Sequence, residues 1–211
     1  MEKLILIGGG GHCKSCIEVI ESTGEYEIVG ILDLPSKIGE KVLDYEVIGS
    51  DIDIATFIQK GIENYIVTLG QIHSATLKKQ MFENIYAQEG ISPTIISNCA
   101  IVSTRAKIGT GTIIMHGAIV NADVQIGDNC IINNQANIEH DVCIGNHVHI
   151  STGAIVNGQV NIGDEVLIGS NSVIRNVINI CNNVIIGAGS VVTRDIIEPG
   201  TYVGNPIKKI K

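Results

Sequence analysis

Along the second half of the chain, Ile or Val returns at every sixth position. The series is Ile96, Val102, Ile108, Ile114, Val120, Ile126, Ile132, Ile138, Ile144, Ile150, Val156, Ile162, Ile168, Ile174, Ile180, Ile186 and Val192, seventeen positions without a break. Four residues after each anchor stands a mostly small or β-branched residue, among them Ala100, Ala106, Thr112, Ala118, Val124, Cys130 and Ala136. A period of six fits neither the helical 3.6 nor the strand alternation of two. It matches a parallel β-helix, in which three hexads make one triangular turn and the aliphatic side chain points into the prism. Gly109, Gly127, Gly145 and Gly163 recur every eighteen residues, as one corner should when coils stack, and Gly169 and Gly187 mark another. Seventeen hexads predict nearly six coils, roughly 27 Å of stack at about 4.8 Å per strand.

The rest of the pattern agrees. No aromatic residue occurs from Ala87 to Thr201, which suits a narrow interior, and no Pro from Thr94 to Glu198, which suits an unbroken ladder of N–H donors. The first ninety residues follow another rule. "KLILIGGGGH" reads as a buried strand running into a glycine turn, and Cys13 to Ser22 as an amphipathic helix. "YEIVGILD" is a second strand ending at Asp33, "ENYIVTLG" a third ending at Gly70, and Ser74 to Glu89 a second helix. Such alternation predicts a small parallel sheet. The expected organisation is a Rossmann-like α/β domain over residues 1–92, a parallel β-helix over 93–198 and a C-terminal tail over 199–211.

Composition narrows the chemistry. The net charge of −8 argues against a nucleic-acid surface. No apolar run is long enough to span a bilayer and no signal peptide is apparent, so a cytoplasmic protein without membrane insertion is expected. The six Cys are then expected to be reduced thiols. Cys13-x-x-Cys16 lacks a second pair, so zinc is not expected there. The glycine turn offers N–H groups to a phosphate at a helix N-terminus, with Asp33 placed for a ribose or base. Gly8-x-Gly10 begins a dinucleotide fingerprint whose last glycine would fall on Cys13, which favours a mononucleotide or nucleotide-sugar over NAD.

The combination of strand–GGGGH–helix, hexads carrying "IEHDVCIGNHVHIS", then "GAGSVVTRDI" and "YVGNPIKKI", resembles the bacterial hexapeptide-repeat sugar acetyltransferases of the bacillosamine, perosamine, viosamine and sialic-acid pathways. The resemblance spans essentially the whole chain. It implies a left-handed prism, homotrimers, acetyl-coenzyme A between adjacent prisms, a nucleotide-sugar on the N-terminal domain and a role in surface glycan biosynthesis. Residue by residue, it implies His140 as catalytic base with Asp141 as acidic partner, and Asn133 on the substrate side. It implies His149 and Gly158 near the acetyl group and Ser170 and Ala188 along the coenzyme cleft. Gly10, Gly11, His12, Asp33 and Gly70 match the nucleotide pocket. Some members carry a second acid after the one matched by Asp33, where this chain has Leu34.

His140 is third in its hexad and is expected to point outward. A neutral imidazole there would take the proton released when an amine or hydroxyl attacks a thioester, with an adjacent carboxylate fixing its tautomer. Asp141 and Glu139 are both candidates for that carboxylate. Gly158 lies eighteen residues on, one full coil, where a glycine lets backbone N–H approach a developing oxyanion. No cysteine shares this column, which favours direct transfer over an acyl-enzyme. Between Ile108 and Ile174 there is no Lys or Arg, and then Arg175, Arg194, Lys208, Lys209 and Lys211 follow, a cationic end suited to coenzyme phosphates. The same prism supports zinc-dependent carbonic anhydrases, but His116, His140, His147 and His149 are separated by 24, 7 and 2, and no pair falls a multiple of eighteen apart. The expected activity is therefore metal-free N-acetylation of a UDP-, GDP- or dTDP-linked amino-sugar by acetyl-coenzyme A. The alternatives are O-acetylation of a sialic acid and a non-catalytic trimeric nucleotide-binding scaffold.

Overall fold

Three parallel sheets wrap the second half of the chain into a left-handed three-sided prism, as described by a computed structural model covering residues 1–211. The first face stacks Ile95–Ile96, Ile113–Ile114, Ile131–Ile132, His149–Ile150, Leu167–Ile168 and Val184–Ile186. The second stacks Ile101–Val102, Ile119–Val120, Asn137–Ile138, Ile155–Val156, Val173–Ile174 and Val191–Val192. The third stacks Lys107–Ile108, Gln125–Ile126, Cys143–Ile144, Asn161–Ile162 and Asn179–Ile180. Each strand pairs with the one eighteen residues later, as in Ile131↔His149, Ile138↔Val156 and Ile144↔Ile162. The Ile and Val anchors and the small residues between them form one continuous buried cluster along the axis. Each fully buried aliphatic side chain contributes about 1.5–3 kcal/mol before chain entropy is subtracted.

The corners follow from local backbone geometry. In every hexad from Ile108 to Ile186, the third residue after the anchor turns left-handed, for example Asp123, Asp141 and Gly153 with φ of 59°, 59° and 67°. The glycine column at 109, 127, 145 and 163 has a further cause. The side-chain oxygens of Asp128, Asn146, Asp164 and Asn182 accept the backbone N–H of the residue eighteen earlier, at 2.8, 2.9, 2.7 and 3.0 Å. This ladder runs so close to the column that a Cβ on Gly145 would stand 2.9 Å from both the Gly163 carbonyl carbon and the Asp164 nitrogen.

Residues 199–211 do not trail away as a tail. Gly200–Val203 extends the first face beside Val184–Ile186, and Lys208–Lys209 returns antiparallel to it. Ile207 is buried against the end of the interior cluster, so this hairpin closes the open end of the prism.

The N-terminal domain contains β1 (Glu2–Ile7), α1 (Gly11–Thr23), β2 (Tyr26–Leu32), β3 (Lys41–Val42), β4 (Tyr45–Gly49), α2 (Ile54–Gln59), β5 (Asn64–Val67) and α3 (Thr76–Ala87). Sheet order is β3-β4-β2-β1-β5, parallel except for the β3–β4 hairpin. The three strands and two helices expected from the sequence are present. The hairpin and α2 are additions that bring the sheet to five strands. No helix is long and apolar enough to cross a membrane.

The domain docks on the first face of the prism. Leu4, Ile17 and Ile20 share one cluster with Ile95, Ile113, Met115 and Ile131. Lys78 of α3 is buried at this seam and donates to the Asn129 carbonyl, while Asn129 Nδ2 donates back to the Lys78 carbonyl at 3.3 Å. Burial pulls the Lys78 ammonium down to about 8. Lys79 beside it bridges to Glu165 at 2.9 Å.

Coil stacking carries a direct test. Gly145→Ala forces a methyl group into the backbone one coil above, and overpacking of this kind costs about 1–3 kcal/mol. The expected outcome is a denaturant midpoint lowered by that amount. Gly189→Ala is the control for a corner glycine, because a Cβ there meets nothing within 4 Å and only the left-handed φ of 67° opposes it.

Candidate active site

His140 stands at the corner that follows the Asn137–Ile138 strand, between the second and third faces. Neighbours on a strand point to opposite sides, but Asp141 takes the left-handed turn, and this brings its carboxylate back to its neighbour. His140 Nδ1 meets Asp141 Oδ2 at 2.8 Å, with the two side chains 59% and 51% exposed. A carboxylate only accepts, so Nδ1 carries the hydrogen and Nε2 is left as the free lone pair. Glu139 is engaged elsewhere: its Oε2 accepts from Asn121 Nδ2 and its Oε1 from Asn137 Nδ2, each at 3.1 Å. Gly158 stacks on the imidazole, where a Cβ would stand 2.8 Å from both Cε1 and Nε2. Its N–H donates to no backbone acceptor, and its carbonyl accepts from the Val177 N–H at 3.1 Å. The corner thus offers an oriented imidazole with an unspent backbone donor one coil above it.

A second cluster joins the two domains. His149 lies on the first face, buried beneath the N-terminal domain. Its Nδ1 bonds the Gln71 carbonyl at 3.0 Å and its Nε2 bonds Asn133 Nδ2 at 3.1 Å. A carbonyl cannot donate, so Nδ1 bears the hydrogen and Nε2 accepts. Asn133 is held in the matching orientation because its Oδ1 accepts the Asn134 N–H at 2.7 Å. Burial lowers His149 to about 3, with the Lys78 and His12 charges acting in the same direction against the Gln71 hydrogen bond. The His12 ring is 6.2 Å from the His149 ring and is lowered to about 4 by burial and by Lys78. His12 Nε2 is buried without a partner. Gln71, Lys78, Asn129 and His147 belong to this seam and carry no signal in the sequence, since a lysine on an amphipathic helix reads as a solvated residue until its face is known to be covered.

At the glycine turn, the Gly9 N–H is spent on Asp33 Oδ2 at 2.8 Å. Gly10 and Gly11 have nothing within 4 Å of where a Cβ would stand, so the start of α1 remains open for a ligand. Burial raises the Asp33 carboxyl, but hydrogen bonds from Lys37, Leu34 and Gly9 outweigh it and hold the group below its usual value. Beyond Asp33 lies a cavity of about 220 Å³ lined by Leu32, Leu34, Asp51, Leu69, Leu77 and Met81 among others. It sits at the carboxyl ends of β1 and β2, where open α/β sheets bind ligands. Gly70 packs on the other side of the turn, 3.5 Å from the His12 Cβ for a side chain built there. A larger trough of about 670 Å³ runs over the third face past Cys143, Asn161 and Cys181, and includes neither His140 nor Gly158.

Asn133, Ser170 and Ala188 follow strands of the first face and stand at its edge with the second. His140 and Gly158 stand at the opposite edge of the second face. Within one chain a whole face separates the two groups. Lys208 lies in the closing hairpin at the C-terminal end and is exposed. No three His, Cys, Asp or Glu side chains converge as a metal site.

Residues 3–85 match the model of the PglD N-terminal domain, 105–140 that of the bacterial transferase hexapeptide (six repeats), and 159–194 that of the hexapeptide repeat of succinyl-transferase. The acetyltransferase domain of PglB from Neisseria gonorrhoeae is 31% identical, with all of both chains covered and a TM-score of 0.92. The chain belongs to the hexapeptide-repeat sugar acetyltransferases. The same PglB domain solved with acetyl coenzyme A covers 99% of each chain at a TM-score of 0.90. PerB from Caulobacter crescentus, solved with CoA and GDP-perosamine, is 28% identical over 100% of this chain and 98% of its own, at a TM-score of 0.93. No curated protein matches in sequence. The chain is therefore an acetyltransferase.

The buried histidines give the acetyltransferase a defined acid sensitivity. The folded state holds His149 near 3, whereas the unfolded chain protonates it near 6.5. Stability is therefore full above pH 6.5 and falls as pH drops toward 3. Between pH 7 and 5, His149 alone accounts for a loss of about 2 kcal/mol. Urea denaturation at both pH values should give a smaller difference in His149→Gln than in wild type.

Proposed function

We propose that this acetyltransferase transfers the acetyl group of acetyl-coenzyme A to the amine of a nucleotide-linked amino-sugar, with His140 as general base. The carrying observation is the Gly158 backbone stacked on an imidazole whose Nδ1 is already committed to Asp141. As the amine attacks the thioester carbonyl, its proton passes to His140 Nε2, and Asp141 stabilises the imidazolium. The carbonyl oxygen gains negative charge opposite the Gly158 N–H. Collapse expels the coenzyme as thiolate, which takes the proton back from His140.

The open start of α1 at Gly10, Gly11 and His12 suits the phosphates of the nucleotide, and Asp33 with the apolar cavity beside it suits ribose and base. The relative crystallised with CoA and GDP-perosamine supports an amino-sugar over a sialic acid. The mixed first edge of Asn133, Ser170 and Ala188 completes the site only if it comes from a second copy. The second face presents Ile101, Ile119, Asn137, Ile155, Val173 and Val191 outward, five of the six apolar, with Ile101 68% exposed. The third face presents Lys107, Gln125, Cys143, Asn161 and Asn179, and the first is already covered. A cyclic trimer with second faces around its axis sets the His140 edge of one copy against the Asn133 edge of the next.

Thiol release from acetyl-coenzyme A, measured over UDP-, GDP- and dTDP-linked amino-sugars and free sialic acids, tests the reading. Turnover is expected with one of the amino-sugars, and turnover with sialic acids alone would reject it. His140→Ala should lose about 10²–10⁴-fold in kcat with the thermal midpoint unchanged. Gly158→Ala should lose activity by displacing the imidazole, since its φ is not left-handed and the backbone tolerates alanine. Ile155→Glu should convert the trimer to monomer in sedimentation and abolish turnover.

A further inference from the structure

One acid at the carboxyl end of the sheet has no task in the fold. Asp51 follows β4 on the way into α2 and lines the cavity beyond Asp33. Its carbonyl accepts from Asn84 Nδ2 at 3.3 Å, but its carboxylate accepts from no group of the chain. Asp33 differs, because its oxygens already take the Gly9 and Leu34 N–H groups and the Lys37 ammonium. The rest of the cavity wall is apolar, with Leu32, Leu34, Leu69, Leu77 and Met81, and no side chain around it carries a hydrogen-bond donor. Leu34 and Leu77 stand 61% and 57% exposed at this wall. A flat ring seated against them takes that surface out of water and turns its polar edge to Asp51.

Strand order sets which part of a nucleotide arrives there. β1, β2 and β4 are neighbours in the sheet, so the glycine turn, Asp33 and Asp51 follow one another across its carboxyl end at about 4.8 Å per strand. With phosphates at Gly10 and Gly11 and the ribose at Asp33, the base falls beside Asp51. An ionised carboxylate only accepts. Guanine meets it with two adjacent donors, N1–H and the N2 amino group, one for each oxygen. Uracil and thymine offer a single N3–H set between two carbonyl oxygens, and those oxygens face the negative charge. Adenine and cytosine place a ring acceptor beside their amino group. We propose that Asp51 selects guanine, so that the acetyl acceptor is a GDP-linked amino-sugar. The inference rests on the reading of the glycine turn and Asp33 as the nucleotide pocket.

Calorimetric titration of the full chain with GDP, inosine diphosphate, UDP and dTDP tests the choice of base. Inosine diphosphate is GDP without the N2 amino group. GDP should bind about tenfold or more tighter than each of the other three, since one hydrogen bond to a charged group is worth at least that much. These wild-type affinities decide the matter whether or not a variant folds. Asp51→Asn should weaken GDP by about 10–100-fold. It should leave UDP unchanged or tighter, because an amide accepts from N3–H while donating to the carbonyl beside it. UDP or dTDP binding as tightly as GDP would overturn the inference and leave the nucleotide pocket standing. Inosine diphosphate matching GDP, or Asp51→Asn weakening all four alike, would overturn it in the same way. If none of the four binds to wild type, the underlying reading of the pocket fails with it.

Discussion

The structure depends on a register of eighteen residues per coil. Parallel backbone hydrogen bonds link each strand to the one eighteen positions on, and the Ile and Val anchors stack inside that ladder. A change of that register would put side chains where the glycine column allows none. The corner polar ladder of Asp128, Asn146, Asp164 and Asn182 holds the same register from outside. A stiff column therefore converts sequence separation into height, and Gly158 meets the His140 ring because one coil lies between them.

That rigidity divides the imidazoles into two kinds. His140 is exposed, paired with a carboxylate and open at Nε2, as a group that must take up a proton requires. His149 and His12 are held neutral by desolvation, and His149 spends both nitrogens on joining Gln71 to Asn133. Lys78, pinned between α3 and Asn129, adds positive charge that keeps them so. The seam is held by groups that resist ionisation, which fixes the glycine turn relative to the prism. In the proposed reaction, that fixed relation sets how far the sugar reaches from its nucleotide.

Much of this was legible in the chain. The hexad period, the missing aromatics and the spacing of glycines describe the prism, because a repeat that stacks on itself is specified by contacts at constant separation. The alternation of strands with helices, the glycine turn and Asp33 describe the core of the N-terminal domain for a similar reason. The β3–β4 hairpin and α2 were not legible, since both are short and carry no periodic run. The closing hairpin at 200–209 carries no pattern of its own in the sequence, because its apolar contacts, Ile207 above all, are made with the end of the prism rather than with its own neighbours.

Side-chain partnerships followed the same division. Sequence alone determined that His140 faces outward with acids on both sides, and that Gly158 lies one coil above it. Only the tertiary structure decided between those acids, because the left-handed turn at Asp141 swings its carboxylate onto Nδ1 while Glu139 is drawn to Asn121 and Asn137. It also decided that His149 is buried under another domain and that Lys78 is a buried cation. Those contacts join residues separated by 78 and 51 positions, and no local period can encode which surfaces of two independently patterned domains will meet.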